Sequence, residues 1–132
     1  MKFGILGYGY VGKATHRGLL NDAKVIVHDI TFDTKREILK DADTVFVCIP
    51  TATQTDIDTV ITEIQLIQEF NPSATFIIRS TLPLGACTRI QAEVGPIIYI
   101  PEFLRERYWE TDCLKRPLIV GYDVADLSLI HI

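Results

Sequence analysis

Apolar positions along this chain fall into two rhythms. Short, nearly unbroken apolar runs occupy residues 3–6, 24–28, 44–49, 75–79, 96–100 and 118–120. Runs of this length predict strands, and Thr44-Val-Phe-Val-Cys-Ile49, apolar after its first residue, predicts one covered on both faces. Between the runs the spacing turns helical. Val11, Ala14, Gly18 and Leu19 mark one amphipathic stretch, Ile57, Val60, Ile61, Ile64, Ile67 and Phe70 mark a second, and a third covers about residues 86–93. Thr34 and Glu37 have capping-box spacing, in which hydroxyl and carboxylate each satisfy a free N–H, and so open a short helix through Ile38 and Leu39. Asp41 and Asp43 close that helix, and Asn71-Pro72 ends the long one. Six strands with right-length crossovers predict an α/β fold, a doubly wound and mostly parallel sheet in a single domain over residues 1–122. No internal repeat, low-complexity stretch or linker interrupts it.

The first strand leads into Gly7-Tyr8-Gly9-Tyr10-Val11-Gly12 and then directly into a helix. Three glycines at this spacing have separate tasks: Gly7 makes the tight turn, Gly9 lets a pyrophosphate approach the backbone, and Gly12 lets helix and strand pack closely. The phosphates then face free N–H groups at the helix start, which carries the equivalent of roughly +0.5 charge. The second strand ends at Asp29, about 20 residues beyond the turn, where a dinucleotide-binding unit places a carboxylate for the ribose hydroxyls. Strand, glycine turn, helix and acid together point to a dinucleotide on a Rossmann-type fold. A helix entry that merely needs small residues leaves Asp29 unexplained.

Composition narrows the partners. At 132 residues a domain buries about two-thirds of its unfolded surface, enough for a true core. A net charge of −4 without any Lys/Arg run argues against nucleic acid and anionic membranes, since both need clustered cations, and leaves a small-molecule ligand. No apolar run approaches bilayer length and no cleavage-like site follows the start, so a cytoplasmic location is expected. Cys48, Cys87 and Cys113 are odd in number and lack metal-ligand spacing, as reduced cytosolic thiols would be. Cys48 reads as a small buried hydrophobe, and no metal is expected. His16, His28 and His131 read as surface, strand-end and terminal residues.

In such sheets ligands sit beyond the C-terminal strand ends, at the switch in strand order. That rule gathers the loops at residues 7–12, 50–53, 80–82 and 101–106. Thr51, Thr53, Ser80 and Thr81 offer hydroxyls to riboses or a substrate oxygen, and the same side chains also make turns and cap helices.

These segments resemble the N-terminal domain of the UDP-glucose/GDP-mannose dehydrogenase family. The resemblance lies in the glycine turn, Asp41-Ala-Asp-Thr-Val-Phe-Val-Cys-Ile-Pro-Thr-Ala-Thr53, Ser80-Thr-Leu-Pro-Leu-Gly85, Pro101-Glu-Phe-Leu-Arg-Glu106 and Arg116-Pro-Leu-Ile-Val-Gly121, in the family's order. The segment from Pro101 to Glu106 is the specific one. The resemblance implies two-step, NAD-dependent oxidation of a nucleotide sugar's primary alcohol to a carboxylate. It implies an NAD site lined by Gly7, Tyr8, Gly9, Tyr10, Val11, Gly12, Asp29, Ile49, Pro50, Thr51, Thr53, Ser80, Thr81, Leu82 and Glu106. It gives Glu102 the acid/base or water-orienting role, assisted by Thr81, with Phe103, Leu104, Arg105 and Glu106 bordering the substrate. A carboxylate near a reacting alcohol can move its proton.

The departures are equally specific. The family's nucleophilic cysteine in a glycine-rich motif, its middle helical domain and its sugar-nucleotide domain have no counterpart here; Cys87 and Cys113 stand in other contexts. The link from Asp29 to Asp41 is short, as though a helix-strand excursion were missing. Asp29 repels a 2′-phosphate, which favours NAD over NADP. Residues 123–132, with Leu127, Leu129, Ile130 and Ile132, read as the start of a truncated helix or a tail needing a partner surface, as a truncated gene would give. Three readings therefore stand: the NAD domain of a nucleotide-sugar dehydrogenase, inactive alone; a stand-alone NAD-binding module, homo-oligomeric or completed by a partner chain; and a fragment of a hydroxyacid or 6-phosphogluconate-type reductase, against which the 101–106 segment argues.

Overall fold

The computed structural model describes residues 1–21 and 23–123. Five strands, β1 (Phe3–Leu6), β2 (Val25–His28), β3 (Thr44–Val47), β4 (Thr75–Ile78) and β5 (Ile98–Tyr99), form one sheet in the order β2-β1-β3-β4-β5. Every pair is parallel, with Phe3 opposite both Val25 and Thr44, Thr44 opposite Thr75, and Ile77 opposite Ile98. Helices α1 (Tyr10–Leu19), α2 (Gln54–Phe70), α3 (Ala86–Val94) and the single turn α4 (Trp109–Asp112) complete the layers.

Successive residues of one strand serve opposite faces, so a run apolar at every position can be covered twice. Val45 and Val47 pack with Leu6, Phe76 and Ile78 against Ile57, Val60, Ile64 and Ile67 of α2 and Ile90 of α3. Phe46 and Cys48 point the other way, joining Ile5, Ile77 and Ile98 beneath Val11 of α1 and Leu20. Each such Ile, Val or Phe contributes about 1.5–3 kcal/mol by leaving water. The doubly wound arrangement follows from that two-sided burial.

The sequence order reverses between β1 and β3. After β2 the chain returns through a 3-10 turn (Arg36–Asp41) instead of a helix and a further strand, as the short Asp29–Asp41 link implied. β2 is consequently an edge, and its Val25, Ile26 and Val27 stay half-buried.

Two expectations are corrected. The run 118–120 is not a sixth strand. Of residues 118–121 only Gly121 pairs with the sheet, in an antiparallel bridge to Tyr99, because β5 has just two residues to offer; Leu118, Ile119 and Val120 remain exposed. Thr34 builds no capping box: its hydroxyl is hydrogen-bonded to His28 Nδ1 at 3.1 Å, and Lys35 flanks the turn without a side-chain cap. The box stands instead at α2, where the Thr53 hydroxyl accepts from Asp56 N–H and the Asp56 carboxylate accepts from Thr53 N–H. His28, at the strand end as expected, is buried. The expected helix or tail from 123 onward lies, except for Asp123, outside the described residues. Among those described, no helix is long and apolar enough to cross a membrane.

Candidate functional site

The glycine turn is built by contacts that exclude side chains. Gly7 has φ +90°, and a Cβ there would meet Ile49 Cγ2 at 2.8 Å and the Cys48 carbonyl oxygen at 2.9 Å. On Gly12 it would lie 2.1 Å from the Gly7 carbonyl oxygen, so α1 rests directly on the turn. Gly9 is different. A Cβ there would meet nothing within 4 Å, so no protein packing calls for a glycine at that position.

Gly9 caps α1 without a side-chain hydrogen bond, and no acidic residue stands in the helix's first turn. The first-turn N–H groups and the positive end of the helix therefore face open space. Tyr8 and Tyr10 are half-buried on either side of Gly9, and Val11 is buried in the core.

Asp29 is bound to this turn. One carboxylate oxygen accepts from Tyr8 N–H at 2.6 Å, and the other accepts from Thr31 N–H and the Thr31 hydroxyl at 2.9 and 2.7 Å. The Tyr8 N–H foremost, then Thr31, holds the Asp29 carboxyl below its ordinary range. With three of about four lone-pair positions filled, the carboxylate stays ionised and keeps room for one further donor.

Hydrogen bonds join the remaining loops. The Ser80 hydroxyl donates to the Ile49 carbonyl at 2.7 Å, the buried Thr51 hydroxyl donates to the Thr81 carbonyl at 2.5 Å, and Leu82 N–H donates to the Tyr99 hydroxyl at 2.9 Å. Pro50 is exposed. The Thr53 hydroxyl is committed to its cap. Ser80 and Thr51 thus hold their loops together, while Thr81 turns its hydroxyl to Glu102 Oε1 at 3.2 Å. Leu104 N–H donates to Glu102 Oε2 at 2.7 Å, so each carboxylate oxygen has one partner and a fixed orientation. Tyr10 faces this loop from α1. Its hydroxyl pKa is raised, chiefly by burial and then by the charges of Glu102 and Glu106.

The rest of the 101–106 segment divides. Phe103 is exposed and Glu106 opens a 3-10 turn, whereas Arg105 is taken up by Asp112. Its Nε and Nη2 reach the two carboxylate oxygens at 3.0 and 2.9 Å, and its guanidinium lies over the Tyr108 ring at 4.5 Å. Arg105 above all, with Arg116 adding to it, holds the Asp112 carboxyl well below the usual carboxylate range. Arg105 therefore braces the loop.

Sequence reasoning passed over two residues here. Arg79 ends an apolar run and looks like an exposed strand terminus, yet it is buried. Its Nε donates to the Thr15 hydroxyl at 3.2 Å and its Nη1 to the Ile100 carbonyl at 2.8 Å, while its own carbonyl accepts from Glu102 N–H. Arg79 ties β4, α1 and the Glu102 loop together. Asp112 is the other; only its spacing of seven from Arg105 could have signalled the pair.

No protein-family model matches the chain. Among solved structures it is similar to a protein of Mycobacterium avium 104 assigned as an oxidoreductase, with a TM-score of 0.69 and 16% identity over 98% of this chain and 51% of that one. It is similar also to the 3-hydroxyisobutyrate dehydrogenase of Mycobacterium tuberculosis with L-serine, with a TM-score of 0.67 and 17% identity over 97% of this chain and 48% of that one. A third is a lactate dehydrogenase of Eimeria maxima with NADH and oxamate, with a TM-score of 0.50 and 13% identity over 76% and 43%. The chain spans about half the length of the first two. The likeness establishes the class of fold, a Rossmann-type α/β domain.

Proposed function

We propose that this chain is an NAD-binding domain of the nucleotide-sugar dehydrogenase type, able to hold the cofactor and unable to complete the oxidation of a sugar CH–OH to a carboxylate by itself. The observation that carries it is the bare first turn of α1 above Gly9, with Asp29 fixed by the Tyr8 N–H beside it. The residues present fit a dinucleotide: free N–H groups and open space where the pyrophosphate belongs, and an ionised carboxylate with one acceptor position left for a ribose hydroxyl. A 2′-phosphate would meet the Asp29 charge, so NAD is the form taken.

Bound NAD supplies a hydride acceptor for the substrate's carbinol carbon. Glu102, oriented by Thr81 and Leu104 N–H, is the group placed to accept the alcohol's proton or orient a water. Tyr10 and Glu106 flank it. The further chemistry needs a nucleophile and a sugar-nucleotide site that these 132 residues do not contain. Likeness to a 3-hydroxyisobutyrate dehydrogenase keeps a hydroxyacid-reductase reading in view. The 101–106 segment favours the nucleotide-sugar reading.

The test is an assay of the purified chain with NAD and either UDP-glucose or GDP-mannose. Cofactor binding without NADH formation above a no-enzyme blank is expected. Sustained NADH production from either sugar would contradict the reading, as would failure to bind NAD.

A further inference from the structure

A groove of about 390 Å³ lies along α1, lined by Tyr8, Lys13, His16, Arg17, Asn21 and Trp109. Among the described residues its lining contains positive and neutral groups and no carboxylate, although the chain carries 17 acidic against 13 basic residues. Arg17 stands apart from the other arginines. Arg36, Arg89, Arg105 and Arg116 pair with acids, Arg79 is hydrogen-bonded in the core, and Arg107 stacks on Tyr108. Among the described residues neither Arg17 nor Lys13 has an ion pair or a side-chain hydrogen bond.

The walls are fixed. A Cβ on Gly18 would lie 2.5 Å from the Cys113 carbonyl oxygen, so α1 and the end of α4 are in backbone contact beside the groove. The Tyr8 hydroxyl is hydrogen-bonded to His16 Nδ1 at 2.8 Å, and Phe32 meets the Tyr8 ring edge-on at 5.9 Å. Trp109, the sole tryptophan, is partly buried and lines the same groove, and among the described residues no ring stacks on it. An indole beside two cations that have no ion pair among the described residues suits a planar base carrying a phosphate. The groove is wide open to solvent, and its volume lies at the lower end of the range of about 300–1,000 Å³ spanned by small-molecule sites.

We infer that the outer face of α1 is a mononucleotide site adjoining the dinucleotide site at the glycine turn, with Tyr8 as their common wall, the phosphate on Lys13 and Arg17 and the base on Trp109. This goes beyond the proposed function and does not depend on it. Since Trp109 is the chain's only indole, its fluorescence reports on the groove.

The test is a titration with AMP followed by tryptophan fluorescence, excited at the red edge of indole absorption, with and without saturating NAD. NAD binding is measured separately by calorimetry. The expected result is a saturable change in fluorescence whose midpoint NAD leaves in place. Arg17→Glu should weaken AMP by about tenfold or more while NAD binding is unchanged, and Arg17→Lys should restore much of the loss. Three results would overturn the inference: no saturable response, complete competition by NAD, or inorganic phosphate binding as tightly as AMP. If NAD does not bind while AMP does, the proposed function fails and the groove stands. The reverse outcome separates them equally.

Discussion

The carbonyl oxygen of Gly7 lies where a side chain on Gly12 would begin, 2.1 Å from an ideal Cβ. The glycine turn is thus half of a contact whose other half is the first turn of α1. Because the obstacle is backbone, no rotamer change relieves it. Gly12→Ala should displace α1, destabilise the domain by about 1–3 kcal/mol and weaken dinucleotide binding together with stability. Urea denaturation of the variant measures the first effect and calorimetry the second.

Much of this arrangement was legible in the sequence. Unbroken apolar runs announced strands buried on two faces, and the glycine spacing announced where α1 meets β1. Asp29 was placed by its distance from the turn, and the short link to Asp41 announced a missing helix-strand excursion, whose absence leaves β2 an edge. What escaped depended on partners distant in sequence. Leu118 to Val120 carry a strand's composition, but β5 is too short to pair with them. Thr34 has a capping residue's spacing, but His28 takes its hydroxyl. Arg79 and Asp112 are buried because Thr15, Ile100 and Arg105 receive them, and no local pattern encodes those neighbours.

Asp29 gives the site an acid dependence. Its carboxyl is held below the unfolded value of about 3.9 by the Tyr8 and Thr31 donors. The folded state therefore binds fewer protons than the unfolded state at intermediate pH. The resulting stability is fully present above the unfolded value and is lost as pH falls through the lower folded one. Asp29→Asn should remove this contribution, so the stability gap between wild type and variant should close as pH drops from about 5 towards 2. Denaturation midpoints across that range check it; a gap independent of pH would contradict it. The same variant should also bind NAD and NADP with more nearly equal affinity.

The three thiols should react in two classes. Burial pushes the Cys48 thiol up to about 12, leaving almost no thiolate near neutrality, whereas Cys87 and Cys113 are only partly buried. With a disulfide reagent at neutral pH, two thiols should titrate in the folded protein and the third only on unfolding. Rapid modification of all three without loss of structure would contradict the packing of Cys48 beneath α1.

The most direct test of cofactor binding at the glycine turn uses Gly9, whose Cβ would touch no protein atom and whose φ of −71° any residue adopts. Serine is a favoured helix N-cap, so Gly9→Ser should leave thermal stability equal or slightly higher. It would also fill the space reserved for the pyrophosphate. Calorimetric titration of NAD into both proteins should show binding to the wild type and a loss of about tenfold or more in the variant, with unchanged melting. Equal NAD affinity in the two proteins, or no binding by either, would contradict a pyrophosphate seated over Gly9.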